Sequence, residues 1–185
     1  FAAGVTAATD NTEETMYASS PSNHAIAGIE GLERMMTSAL NDSTSQLNQL
    51  NAVGITTVFN SFGTGYRYWG NRTASYPSNT LADNFLPVQR TADVIHVSVE
   101  KAMLQFLDKP LNQATIDAIR STVNAFLRGL VSTGKIIDGV CKYIPENNPP
   151  VDLAAGKVTF DIEFLPPTPA ERITFRSFIN IEFFL

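Results

Sequence analysis

Apolar residues recur at intervals of three and four in two consecutive stretches near the middle of the chain. Ile95, Val99, Met103 and Phe106 share one face of a helix that Thr91 caps and Pro110 stops. Ile116, Ile119, Val123, Phe126 and Leu130 repeat the pattern in a second helix, capped by Asn112 and ended by Gly134. The short connection predicts that the two are antiparallel neighbours. Beyond Gly134 the period drops to two. Residues 136–143 read as one strand. Val158, Phe160, Ile162 and Phe164, alternating with Thr159, Asp161 and Glu163, read as a second, half-buried one. The stretch Asn147-Asn148-Pro149-Pro150 between them reads as a loop.

The N-terminal part is less periodic. Residues 1–25 mix Ala, Thr, Ser and Asn around Asp10–Glu14, with a turn at Ser20-Pro21-Ser22-Asn23, and are expected to be loop. Between residues 26 and 40 the apolar positions are irregular and interrupted by Gly28 and Gly31. Asp42-Ser43 are expected to cap a short helix bearing Leu47 and Leu50, ended by Gly54. The β-branched and aromatic run 55–59 predicts a short buried strand, and residues 66–73 a second.

The tail follows Pro166-Pro167-Thr168-Pro169, a stiff polyproline-like spacer. It carries Ile173, Phe175, Phe178, Ile179, Ile181, Phe183, Phe184 and Leu185, with Asn180 and Glu182 among them. Successive strand residues point to opposite faces, so Phe183 and Phe184 cannot share one buried side. Each large apolar side chain left in water forgoes ~1.5–3 kcal/mol, and a bare apolar strand invites aggregation. Two arrangements supply the cover: insertion of residues 178–185 into a partner's sheet, or a central place in the chain's own sheet. Both leave the same alternation.

Composition narrows the function. At 185 residues the chain is long enough for one core, or one domain with arms. Residues 1–60 carry one Arg against six acids, which leaves 13 − 1 = 12 basic groups against 18 − 6 = 12 acids in the rest. That balance lacks the concentrated basic face nucleic acid needs, and the polybasic patch of a membrane-surface protein. No apolar run approaches the roughly 20 residues of a spanning helix. The lone Cys141 excludes an internal disulfide framework. The chain opens on Phe1 without Met, as expected where the N-terminal part of a longer protein is absent.

Candidate chemistry is thin. A dyad of Cys141 with His24 or His96 is conceivable, but a mid-strand thiol is more simply packing. Asp93, His96 and Glu100 share a helix face, and Asp161 and Glu163 a strand face; both read as solvated charge rather than metal or acid–base sites. Phe62-Gly63-Thr64-Gly65 is too sparse for a phosphate cradle. Asn41-Asp42-Ser43 and Asn71-Arg72-Thr73 fit the glycosylation pattern, which is common by chance. No catalytic, metal-binding or cofactor-binding constellation emerges. The polar positions Asp117, Arg120, Asn124 and Arg128 of the second helix could present charge to a partner.

The most specific segment is Tyr66-Arg67-Tyr68-Trp69-Gly70-Asn71-Arg72-Thr73, which holds the only Trp, followed by Arg90-Thr91-Ala92-Asp93. It reads as a packing and docking element. With Ser20-Pro21-Ser22-Asn23, Gly54-Ile55-Thr56-Thr57-Val58 and Ala154-Ala155-Gly156-Lys157, these motifs resemble the contractile tail sheath proteins of bacteriophages and R-type pyocins. The resemblance runs in order over nearly the whole chain and matches the family's C-terminal part.

The resemblance implies an α+β domain, two antiparallel helices on a mixed β-sheet, spanning residues 1–177, with an arm strand at 178–185 that pairs with a neighbouring subunit. It implies subunits stacked as six-membered rings around a tail tube, with baseplate and terminator proteins at the sheath ends, in a virion tail assembled in the host bacterial cytoplasm. The Asp117, Arg120, Asn124 and Arg128 face is expected to meet the tube, and the flexible link to lie between Pro166 and Ser177. A receptor-binding or other virion module forming a closed oligomer is the alternative.

Overall fold

The computed structural model describes residues 1–60 and 63–184; Ser61, Phe62 and Leu185, with the side chains of Ile181 and Phe184, fall outside the described residues. The first departure from expectation comes at once. Residues 1–25 open with a helix, α1 (Ala2–Thr12). Ala2, Ala3, Ala7 and Ala8 supply the propensity, and Val5 and Thr9, one turn apart, are both buried. The Thr9 hydroxyl donates to Val5 C=O at 2.9 Å, so its burial leaves no orphaned group.

The short helix α2 (Gln46–Ala52) is capped by Ser45, whose Oγ accepts the Asn48 N–H at 3.4 Å. Asp42, expected in the cap, instead accepts the Thr44 N–H at 2.8 Å in a turn of its own. Strands β1 (Thr57–Asn60) and β2 (Tyr66–Trp69) form an antiparallel pair with Phe59 opposite Arg67. Residues 23–26 run along the free side of β2, with Ile26 N–H donating to Tyr66 C=O and Tyr68 N–H to His24 C=O.

Helix α3 (Leu86–Met103) starts six residues earlier than expected, capped at Phe85 instead of Thr91, with Pro87 in its first turn, where the missing N–H costs nothing. Thr91 is therefore not its cap. It lies inside the helix, fully buried, and its hydroxyl donates to Pro87 C=O at 2.8 Å. Helix α4 (Gln113–Ser132) has the expected cap, Asn112 Oδ1 accepting the Thr115 N–H at 2.9 Å. Gly134 follows its end at φ +70°, a conformation glycine adopts freely.

Ile95 of α3 joins Val123, Leu127 and Leu130 of α4, with Ile136 and Cys141, in the main core. Beyond α4, strands β3 (Asp138–Lys142) and β4 (Asp161–Leu165) pair antiparallel, Cys141 opposite Ile162. Their connection contains a further short helix, α5 (Pro150–Ala154). The chain is a mixture of helices and small sheets, but the expected single mixed sheet is not formed. Among the described residues there are two separate two-stranded antiparallel sheets, and Asn124 of α4 bonds the outer edge of β3, where a further strand would pair.

Residues 166–180 contain no helix or strand, and Ile181–Phe184 make one 3₁₀ turn. The strand expected at the tail is thus not formed within the single chain: no edge of its own two sheets is given to it. Phe175, Phe178, Ile179 and Phe183 stand 90%, 86%, 95% and 89% exposed.

Candidate assembly surface

The Trp-containing segment turns inward. Trp69 packs edge-on against Phe59, ring centres 4.9 Å apart. Gly70 takes φ +143°, and a Cβ there would lie 2.9 Å from the Thr56 Cα, so a side chain cannot be accommodated. Asn71 is buried. It accepts from the Ser20 hydroxyl, and its C=O receives the Leu86 N–H at 2.7 Å, fastening the end of β2 to the start of α3. A buried Asn71 is no glycan acceptor. Thr73 N–H donates to Asn84 C=O at 2.8 Å.

Arg72 is the most heavily engaged side chain of the segment. Its guanidinium donates to Asn84 Oδ1 and to Glu171 Oε2, the latter at 2.5 Å, and stands 3.9 Å from the Phe85 ring centre and 4.5 Å from that of Tyr76. Glu171 closes the proline spacer, so this pair ties the root of the tail to the Trp-Gly-Asn-Arg-Thr segment. A cleft of about 340 Å³ lies between the two, lined by Ser20, Ser22, Trp69, Asn71, Pro167 and Glu171 among others. No signal in the sequence joins Arg72 to an acid 99 positions away, nor marks Asn84, Phe85 and Tyr76 as its companions.

The second expected motif serves helix packing. Arg90 of α3 pairs with Asp10 of α1, Thr91 is internal, and Asp93 is exposed, accepting from Gln89 Nε2 at 3.2 Å.

The β3–β4 pair has two unlike edges. Asn124 of α4 donates from Nδ2 to Cys141 C=O at 3.0 Å and accepts the Cys141 N–H at 2.9 Å. Cys141 therefore faces away from β4, and the outer edge of β3 is closed by a side chain. Gly139, two residues earlier on that edge, donates its N–H to Asp138 Oδ1 at 2.8 Å. On β4, antiparallel alternation turns the backbone groups of Ile162 and Phe164 outward. Those groups have no partner among the described residues.

Asn124 is thus committed to β3 and does not belong to a free polar face with Asp117, Arg120 and Arg128. Asp117 and Arg120 pair at 2.9 Å on the helix surface, and Arg128 is exposed.

The reactive residue types are scattered. Cys141 is buried, and desolvation pushes its thiol pKa up despite the opposing charge of Arg120. His24 bonds Ser22 C=O through Nδ1 and lies 3.4 Å from Glu13 Oε1, while His96 rests edge-on against Phe164. Glu163 pairs with Lys142 at 2.6 Å and Asp161 accepts from Asn147 at 3.1 Å, so the two carboxylates serve different partners. Among the described residues no group of three or more His, Cys, Asp or Glu could hold a metal ion, and no helix is long and apolar enough to cross a membrane.

Residues 82–180, from just before α3 into the tail, match the family described as phage tail sheath C-terminal domain. The chain belongs to that family. All of it aligns at 39% identity with the tail sheath protein of Burkholderia phage BcepMu, and it spans 38% of that relative's length. The same fold recurs in a chain of the anti-feeding prophage baseplate, with TM-score 0.82 and 19% identity over 97% of this chain and 49% of that one. It recurs again in the sheath complex of an extracellular contractile injection system in its contracted state, with TM-score 0.80 and 22% identity over 97% of this chain and 50% of the other. The tail sheath family is structural and not enzymatic.

Proposed function

We propose that this sheath domain is the assembly-forming part of a contractile tail sheath subunit. Copies stack as six-membered rings around a tail tube, with baseplate and terminator proteins at the ends. The array then shortens to drive the tube through a cell envelope. Residues 178–185 act as an arm that adds a strand to a neighbouring copy. The observation that carries this reading is the pairing of complementary defects in one chain: a tail whose large apolar side chains find no cover, and a sheet edge on β4 whose backbone groups find no partner. Strand addition satisfies both at once. The sixfold-symmetrised baseplate and the contracted sheath complex among its structural neighbours support the ring and contraction parts of the proposal.

Among the polar residues of α4, Arg120 and Arg128 remain candidates for meeting the tube, their charge setting register more than affinity. Deleting Asn180–Leu185 tests the arm. The expected product is a folded, dispersed chain that forms no sheaths in negative-stain micrographs of the full-length protein. Normal sheaths from the truncated protein, or a closed ring that grows no further in the intact one, would overturn the reading.

A further inference from the structure

The proline spacer separating two apolar patterns places the pivot of the arm anywhere between Pro166 and Ser177. The contacts of Arg72 narrow it. Its guanidinium is held on three sides before the tail is considered, by Asn84 and by the Phe85 and Tyr76 rings. A planar cation oriented in this way loses little freedom on meeting a carboxylate. Its side chain is only 16% exposed and that of Glu171 26%, so solvent and salt screen the pair less than a surface bridge. On the tail side Pro166 is buried and Pro167 and Pro169 half-buried, and Glu171 N–H donates to Pro169 C=O at 3.0 Å. Immediately beyond, every residue from 172 to 180 is exposed. The partial burial of the tail therefore ends with the Glu171 side chain.

We infer that Arg72 and Glu171 form a clasp that positions the arm, so that the proline spacer belongs to the rigid body and the pivot is confined to Arg172–Ser177. The Trp-Gly-Asn-Arg-Thr segment then has a definite task. It is the seat of the clasp on the domain rather than a surface offered to another copy. This deepens the arm reading and rests on it.

Limited trypsin digestion of the dispersed 185-residue chain reads the clasp, because Arg172 and Arg176 flank the pivot. Cleavage needs several residues on either side of the bond to move freely. The bond after Arg176 is expected to be cut at least about tenfold faster than the bond after Arg172, the factor that a tie of about 1.4 kcal/mol produces. Arg72→Gln leaves the sequence around both bonds unchanged, and is expected to bring their ratio close to that of the urea-unfolded chain. Glu171→Gln, made on the tail side where folding is not at stake, is expected to do the same once normalised to its own unfolded digest. Equal cutting of both bonds in the wild-type chain, or a ratio that neither substitution moves, overturns the clasp. The measurement needs no assembly, so its outcome is independent of whether the truncated protein forms sheaths.

Discussion

Gly70 shows most sharply how a single position can be fixed. Gly70→Ala adds a methyl group against the Thr56 backbone at a backbone angle that side chains rarely adopt. It is expected to lower stability by about 3 kcal/mol, measured by denaturant unfolding. Cys141 makes a gentler prediction. Its thiol, buried and raised in pKa, keeps its proton in the folded chain at a pH where the unfolded chain has lost it. That contribution is complete below the titration of the unfolded thiol and is lost as pH rises through that of the folded one. Iodoacetamide labelling at mildly alkaline pH is therefore expected to proceed only as fast as the chain opens; rapid labelling of folded protein would contradict it. The sequence announces that Gly70 and Arg72 sit in a specific local structure. It does not announce their partners, because Thr56, Asn84 and Glu171 are ordinary residues made special by where the fold delivers them.

Elements were legible in proportion to their periodicity. Ile95, Val99 and Met103 of α3, Val123, Phe126 and Leu130 of α4, and Phe160, Ile162 and Phe164 around β4 all meet one core, and the Asn112 cap stands; Phe106 instead falls in the 3₁₀ turn that follows α3. The boundaries and polar residues were harder. Thr91 looks like a cap because threonine often is one, yet Pro87 had already started the helix. Alanines made α1 where polar neighbours suggested loop. Asn124 reads in the sequence as an exposed polar position on α4, whereas in the fold it closes the outer edge of β3. Asn124→Leu is expected to leave the Cys141 N–H and C=O without partners at a cost of about 2 kcal/mol, and to speed hydrogen exchange at the Cys141 amide. Unchanged exchange would mean that another group takes over the edge.

The whole molecule divides into a packed domain and a tail that contributes almost nothing to it. Removing the arm is accordingly expected to change the unfolding free energy of the dispersed chain by less than about 0.5 kcal/mol, even as it abolishes assembly. That contrast separates a lost joint from a damaged domain. Order of motifs and the apolar tail made the family legible in the sequence, whereas two small sheets in place of one could not be read, since strand alternation carries no record of which strands meet. One further consequence follows from the Arg72–Glu171 tie. Phe178, the start of the proposed arm strand, is 178 − 171 = 7 residue steps from Glu171, which stretch to about 25 Å at most. Joined copies are then on a short leash: a lattice can twist or shear about it, but no rearrangement can carry the receiving edge farther from Glu171 than that span unless the tie or the strand ladder gives way.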